Sequence, residues 1–262
     1  MTSSICRKVG IAALRILVPV VFFAGIWWGA AALLGSPLLL PAPGAVFLRF
    51  FSLFSDGGFR EAVAFSFLRV LGGLGIGILG GVLLSLLVFF LPRTEWIVRP
   101  FLTVVRATPV ASFVLLIWCF TGSGILPLVI AALMVLPIVS ENLITGLRNA
   151  PPPLLEVAQV FGLSPRDRFF HCRVPAAVPS LLSALRSSAG FAWKAGIAAE
   201  ILSTSSPSVG RMIYYAKVYL ETEEVFALTA AVILLSLLFE FIVNKTFHFL
   251  QGGPARGRAS VD

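Results

Sequence analysis

The sequence predicts an all-α integral membrane protein, a helical bundle with six transmembrane helices. Of its 262 residues, 58% are hydrophobic and only 12% are charged, whereas a soluble domain carries about 25% charged residues. Apolar runs recur along almost the whole chain, and about 20 apolar residues in a helix cross the hydrocarbon core of a bilayer. Because backbone groups inside lipid must bond within the segment, helices are the expected spanning elements.

Six segments are long and apolar enough to span the bilayer. They are residues 11–34, 68–91, 100–120, 125–146, 181–203 and 225–250. The first is about 24 residues long, which exceeds the apolar region of a cleaved signal peptide. We therefore expect it to be retained as a helix. The six spans together make residues 1–262 a single transmembrane domain.

Two segments between spans are predicted to lie on the outer side. Residues 36–67 begin with the turn Leu40-Pro41-Ala42-Pro43 and continue as a semi-polar stretch that we expect to include a short interfacial helix. Residues 209–219 hold all three tyrosines beside Arg211 and Lys217. Because tyrosine is enriched at membrane interfaces, an interfacial belt is the preferred interpretation of this segment.

The second span contains Gly75, Gly77 and Gly80 in the spacing G-x-G-x-x-G. A dinucleotide site needs a strand before this motif and a soluble helix after it, and here the motif lies in the middle of an apolar run. Gly73, Gly77 and Gly81 recur at steps of four, which places them on one helix face. Close helix packing is therefore the better interpretation.

The positive charge of the chain indicates its orientation in the membrane. Lysine and arginine are retained in cytoplasmic segments, and with the N-terminus inside, most of the 20 basic residues fall on the cytoplasmic side. Both termini are then cytoplasmic. Nowhere do basic residues alternate with aromatic residues on a polar face, so the net charge of +8 reflects membrane topology, and nucleic acid is not an expected partner.

The sequence offers no residues for covalent chemistry. It has no G-x-x-x-x-G-K-[ST] phosphate loop, no G-x-S-x-G nucleophile elbow and no H-E-x-x-H zinc helix, and each of these motifs supplies a defined catalytic or binding group. The three cysteines, Cys6, Cys119 and Cys172, are scattered and are expected to be free thiols. We therefore expect no catalytic, cofactor or metal site, and we expect any ATP to be bound by partner subunits.

The loop 148–180, between the fourth and fifth predicted spans, carries the main functional signal. Glu156-Val157-Ala158 is followed by three residues, Gly162, nine residues, and Cys172-Arg173-Val174-Pro175. This pattern resembles the cytoplasmic coupling motif of ABC importer permeases, which is E-A-A, three residues, Gly, nine residues and I-x-L-P. We call residues 148–180 the coupling loop. The alternative interpretation is an amphipathic interfacial loop without special function.

The residues of the coupling loop also predict its local structure. Residues 154–161 are expected to form a short helix that Gly162 ends, and Ser164-Pro165 can begin a second one. Phe169 and Phe170 can anchor the loop to the bilayer or to a partner. The resemblance implies that this loop docks in an ATPase subunit. The candidate coupling residues are Glu156, Ala158, Gly162, Arg166, Asp167, Arg168, Val174 and Pro175.

The resemblance covers roughly residues 38–250, and several segments resemble the nitrate, sulfonate and taurine branch of these permeases. They are residues 40–43, 66–70, 100–109, 137–142 and 192–200. Members of the branch work as a permease pair, here expected to be a homodimer, with two ABC ATPase subunits and an extracytoplasmic solute-binding protein, in the bacterial inner membrane. Nitrate-like and sulfonate-like anions and small heterocyclic vitamin precursors remain open as solutes. The alternative function is a secondary transporter or channel independent of ATPase subunits.

Four charged residues fall inside predicted spans, namely Glu141, Lys194, Glu200 and Glu240. A charge that faces lipid at the bilayer centre costs about 2.5–3.5 kcal/mol, so these side chains are expected to face the bundle interior or a water-filled path. Our hypothesis is that Lys194 lines the translocation path and attracts an anionic or carbonyl-bearing solute. The alternative is a structural ion pair of Lys194 with Glu141 or Glu240. The candidate path residues are Lys194, Glu200, Glu141 and Arg106.

Overall fold

The structure is a computed structural model that describes the backbone of residues 2–250 and the side chains of residues 15, 18, 19 and 21–246. Every regular element in these residues is helical, which confirms the predicted fold class. The α-helices are α1 (Thr2–Leu34), α2 (Pro43–Leu53), α3 (Gly57–Phe90), α4 (Glu95–Ala107), α5 (Val110–Trp118), α6 (Leu126–Arg148), α7 (Pro152–Val160), α8 (Pro165–Arg168), α9 (Val174–Ser203), α10 (Val209–Val218) and α11 (Thr222–Leu250). The predicted cytoplasmic C-terminal segment, 251–262, lies outside the described residues.

Three helices of the described chain are long and apolar enough to cross a membrane, namely α3, α6 and the Thr222–Thr246 part of α11. The predicted span 181–203 lies within α9, which has 30 residues but includes several serines and three charged residues. In α1 the side chains are described over most of the helix from Arg15 onward, and Val21–Leu34 forms an apolar helical segment. A short helix, α2 or α10, is present in each of the two predicted outer segments.

The third predicted span, 100–120, is not a single helix. It is formed by α4 and α5, whose axes are bent by 105° at the break between them. Thr108 is extended, with φ −79° and ψ 128°, because a proline disfavours helical geometry in the residue before it. Pro109 also lacks the N–H that would continue the helix. The structure therefore replaces the predicted straight span with a broken one.

The described chain divides into two compact units. The first comprises residues up to Arg60 together with Met212–Ala231. Within it, the indole N–H of Trp27 donates to the Pro41 carbonyl at 3.1 Å, and the hydroxyl of Thr222 donates to the Leu38 carbonyl at 2.7 Å. These bonds hold the proline-rich turn that precedes α2. The single domain expected over residues 1–262 stays a prediction.

The second unit comprises Glu61–Arg211 and the part of α11 from Val232. Its core is formed by α3, α6, α9 and α11, and within it α3 and α6 make a close contact. A Cβ atom added to Gly73 would lie 2.7 Å from Cβ of Ala131, and one added to Gly77 would lie 2.6 Å from Cβ of Val135. Gly81 meets Val139 in the same way. The sequence-based interpretation of these glycines as a helix-packing face is confirmed.

Candidate functional site

The first half of the coupling loop is α7, and it presents an exposed surface. Glu156 is exposed, as are the apolar side chains of Val157, Val160 and Phe161, the last two with 86% and 78% of their surface accessible. Ala158 is buried on the opposite side of the helix. A carboxylate among exposed apolar side chains is unlike a solvated loop, and such patches mark binding surfaces.

The turn after α7 has the structure that its residues predict. Gly162 adopts a left-handed backbone with φ +71°, and the Leu163 N–H donates to the Ala158 carbonyl at 3.0 Å, which ends the helix. Ser164 then caps α8, since its hydroxyl accepts the Asp167 N–H at 3.2 Å. Glycine and the serine cap thus set the direction in which the chain re-enters the bundle.

The second half of the coupling loop is joined to the bundle through Phe169 and Arg173. Phe169 is buried, with ring centroids 5.4 Å from Phe89 and 4.9 Å from Phe90 at the end of α3. The Arg173 guanidinium lies over the Phe89 ring at 5.3 Å and donates to the Leu147 carbonyl at 2.9 Å. Phe169 therefore packs inside the protein, and its expected anchoring to the bilayer or a partner is wrong, whereas Phe170 remains exposed.

The other predicted coupling residues fall on both sides of this junction. Arg166 and Asp167 are exposed and Arg168 is half-buried. Val174 and Pro175 open α9, with Val174 half-buried beside the cluster of Leu143, Leu147 and Phe169. The structure therefore places the predicted loop residues in one contiguous segment, in which Arg166, Asp167 and Pro175 are exposed like the surface of α7.

A polar cavity of about 470 Å³ separates parts of α4 and α6 near the coupling loop. Arg106 and Glu141 form an ion pair across it. Near its other end, Arg148 donates to both carboxylate oxygens of Glu95, at 3.1 and 2.8 Å. The structure thus brings together two of the predicted path residues and adds a second ion pair that the sequence did not indicate.

Glu200 lies in a different environment from the other candidate path residues. Its side chain is fully buried, and its carboxylate accepts hydrogen bonds from the Ser66 hydroxyl at 2.7 Å and the Gly210 N–H at 3.3 Å. The Arg69 guanidinium is 3.5 Å away and also donates to the Pro207 carbonyl at 2.7 Å. Glu200 therefore holds the segment after α9 against α3.

Lys194 lies on an exposed face of α9 together with Ser183, Ser187 and Phe191. Within the described residues it forms no salt bridge, since Glu141 is paired with Arg106 and the Glu240 carboxylate lies against Gly190. The alternative of an ion pair with either glutamate is therefore not realised in this single chain. In the predicted span 181–203, a lysine on an unpaired face is costly if it faces lipid, which favours a water-filled path or a protein partner beside it.

Sequence reasoning missed several residues that complete these contacts. They are Arg69 inside α3, Glu95 and Arg148 at the ends of α4 and α6, and Arg173 directly before α9. Their partners lie far along the chain, so spacing gives no signal of the pairing. Among the described residues, no group of three or more histidine, cysteine, aspartate or glutamate side chains has the geometry of a metal site.

Three comparisons with known proteins agree. Residues 73–247 match the family model of the binding-protein-dependent transport system inner membrane component. The chain is 31% identical over 214 residues to a putative aliphatic sulfonates transport permease protein of Bacillus subtilis, covering 81% of this chain and 77% of the relative. It is 26% identical over 223 residues to the taurine transport system permease protein of Escherichia coli, covering 82% and 80% of the two chains.

The fold is also found in a solved structure. A crystal structure of an amino acid ABC transporter with histidines superposes with a TM-score of 0.60, covering 76% of this chain and 95% of the other. The two sequences are 16% identical over this match. At that identity the likeness concerns the arrangement of helices and says nothing further about the solute.

Proposed function

Because this chain belongs to the family of binding-protein-dependent transport system inner membrane components, we propose that its coupling loop docks in a separate ABC ATPase subunit. The chain is a multi-pass membrane protein and a permease subunit of an ABC importer. We infer that an extracytoplasmic binding protein delivers the solute and that ATP is hydrolysed by the partner subunits.

The observation that carries the proposed docking is the exposed surface of α7. Glu156 stands among Val157, Val160 and Phe161, all exposed, and the helix that presents them ends at the left-handed Gly162. An apolar patch with a central charge suits a protein cleft, in which the patch is removed from water and the charge fixes orientation. Nucleotide-dependent closure of the ATPases would then act on the permease at this surface, and alternating access requires such differential binding.

Purification of tagged protein from native membranes in mild detergent tests the docking. We expect an ATPase subunit to accompany the wild-type chain and to be lost from Glu156→Lys and Gly162→Asp. Glu61→Lys is the matched control, because Glu61 is exposed in α3 and outside the coupling loop. A wild-type chain that carries no ATPase, yet moves solute into vesicles lacking ATP, would contradict the proposal in favour of a secondary transporter.

We further propose that the face of α9 with Lys194 lines the translocation path, which accepts an anionic or carbonyl-bearing solute. Ser183, Ser187 and Lys194 share this face at spacings of four and seven residues, which return to one side of a helix. Lys194 supplies a positive charge that no described carboxylate neutralises. The Arg106–Glu141 pair borders the polar cavity between α4 and α6. We place this pair at the cytoplasmic end of the same path.

Replacement of Lys194 tests this second step. Lys194→Met should lower ATP-dependent uptake of taurine, used as a probe solute because a relative is named for its transport, while ATPase co-purification stays at the wild-type level. The matched control is Lys217→Met, since Lys217 is exposed in α10. Uptake by Lys194→Met at the control rate would rule out a role of this charge in the path.

We propose that two copies of the chain form the permease pair, in the bacterial inner membrane and with both termini cytoplasmic. The bias of basic residues toward one side supports this orientation. The exposed polar face of α9 supports the pairing, because a second copy would cover it from lipid. Cross-linking of the Ser187→Cys variant in native membranes, with Cys6 and Cys119 replaced by serine, should give a dimer, whereas a band of one chain only would contradict the pairing.

A further inference from the structure

We propose that Phe89, Phe90, Phe169 and Arg173 form a joint that transmits motion of the coupling loop to the transmembrane helices. This inference rests on the proposed docking of α7 in an ATPase subunit. It assigns a positioning role to Phe89 and Phe90, which lie outside the coupling motif, and to Phe169 and Arg173, which occupy positions of the motif where the family pattern specifies no residue. We call these four residues the aromatic joint.

The aromatic half of the joint removes Phe169 from water and from lipid. Only 8% of Phe169 is accessible, and its ring lies against Phe89 and Phe90, which end α3. Leu143, Leu147 and Ala177 complete the cluster. Since aromatic pairs at such centroid distances stabilise beyond the area they bury, the loop is attached to α3 by a directional contact.

Arg173 fastens the same point of the loop to two helices. Its guanidinium lies 5.3 Å from the centre of the Phe89 ring, and one of its N–H groups donates to the Leu147 carbonyl in the last turn of α6 at 2.9 Å. The cation–π contact and the charged hydrogen bond depend on one planar group. A displacement of Arg173 therefore acts on the ends of α3 and α6 together.

The backbone of this segment is also unusual. Residues Phe169–Arg173 form a π-helix between α8 and α9, and π-helical turns are rare and occur frequently at functional sites. The π-helix runs directly into α9, which has no break before Ser203. Movement of the loop is thus continuous with movement of the helix that bears Lys194.

Close packing at the base of the loop makes the joint stiff. A Cβ atom added to Gly146 would lie 3.0 Å from Cα of Ala177 and 3.0 Å from Cβ of Ser180. The backbones of α6 and α9 are therefore closely packed beside the joint. Farther along, Gly73, Gly77 and Gly81 hold α3 against α6. Three helices that cannot slide past one another will follow the loop as one body.

A purely structural role predicts a different result from a transmitting role. If the joint only stabilises the fold, its loss lowers the melting temperature and lowers ATP hydrolysis and helix movement in proportion. If the joint transmits motion, its loss leaves ATPase binding and hydrolysis and removes the nucleotide-dependent change in the bundle. The ratio of helix movement to ATP hydrolysis separates the two roles.

The experiment uses the complex of the chain with its ATPase and binding protein in liposomes. A reporter cysteine, Ser187→Cys, is introduced with Cys6 and Cys119 replaced by serine, and its labelling by a maleimide is compared without nucleotide and after ATP hydrolysis in the presence of vanadate, which traps ADP and vanadate on the ATPase. We expect Arg173→Ala to retain ATPase co-purification and hydrolysis while the nucleotide-dependent change in labelling falls about five-fold. Arg173→Lys should recover part of that change, because a cation over Phe89 is kept.

Arg93→Ala is the matched control, because Arg93 is an exposed arginine near the start of α4. If Arg173→Ala fails to assemble, Phe89→Leu tests the same joint with little loss of apolar volume, and the same five-fold fall is expected. A full nucleotide-dependent change in either assembled variant would overturn the inference. A wild-type chain that binds no ATPase would instead contradict the proposed docking, so the two failures are distinguishable.

Discussion

Two contacts of α6 within the second unit differ in the residues that form them, since one is made across glycines and the other contains ion pairs. On one side α6 meets α3 through glycines, so closely that a Cβ atom at Gly77 would collide with Val135 and with the Ala132 carbonyl. On the other side α6 meets α4 through an apolar cluster that includes Val98, Leu102 and Leu136, and through the Arg106–Glu141 and Arg148–Glu95 ion pairs around a polar cavity. The α3–α6 contact allows only one close arrangement of the two helices, whereas the cavity beside the second contact leaves space for α4 to move away from α6.

The difference follows from the solvent of a membrane protein. Apolar helices gain little by association in lipid, so close approach of backbones across small residues supplies much of the attraction. Half-exposed ion pairs contribute about 0–1 kcal/mol, which is small enough to be broken during a transport cycle. We infer that α3 and α6 move together while α4, with its break at Thr108-Pro109, changes its position against them.

The largest expected effect comes from opening the glycine contact. Gly77→Leu places a side chain where the α6 backbone lies, and we expect it to prevent recovery of monodisperse protein in mild detergent. Gly75→Leu is the matched control in the same helix, because a Cβ atom at Gly75 meets nothing within 4 Å, and its yield should stay within about two-fold of wild type. Equal yields of the two variants would show that the α3–α6 contact is not the rigid one.

An intermediate effect is expected at Glu200, whose charge is buried. Glu200→Gln leaves Arg69 without the carboxylate that lies 3.5 Å away. It also makes the hydrogen bonds from Ser66 and Gly210 neutral, and a hydrogen bond to a charged group contributes about 1.5–3 kcal/mol whereas a neutral one contributes about 0.5–1.5 kcal/mol. The melting temperature measured by size exclusion after heating should fall clearly, and this fall should be the same at low and high salt. Glu61→Gln, at an exposed position, serves as the control. If Glu200→Gln is as stable as Glu61→Gln, the buried Glu200–Arg69 pair does not stabilise the protein.

The sequence carried enough information for the fold class and for the turn in the coupling loop. The fold class follows from long apolar segments, and these can be seen directly in a single sequence. Gly162 and Ser164 were predicted to end and begin helices because their conformational and capping preferences act within a few residues. The structure confirms both, as it confirms the glycine face of α3.

The remainder depends on contacts between distant residues. Glu200 meets Ser66 across 134 residues of sequence, and no local pattern indicates that pairing. The break at Thr108 did have a local signal in Pro109, but the continuous apolar run on both sides favoured one span. Phe169 reads as a surface anchor in a polar loop, and only its position beside Phe89 and Phe90 reveals that it is buried.

The Arg106–Glu141 pair is expected to contribute least to stability. A double-mutant cycle with Arg106→Ala and Glu141→Ala, measured by detergent-induced unfolding followed by circular dichroism, should give a coupling energy of about 0.2–1 kcal/mol. Because both side chains are more than one-third exposed, salt should screen the coupling, and it should vanish near 1 M salt, where the screening length is about 3 Å. The exchanged pair, Arg106→Glu with Glu141→Arg, should restore the coupling at low salt. A coupling energy that is large and insensitive to salt would instead show that the α4–α6 contact is as rigid as the α3–α6 contact. In that case α4 would have to move together with α3 and α6.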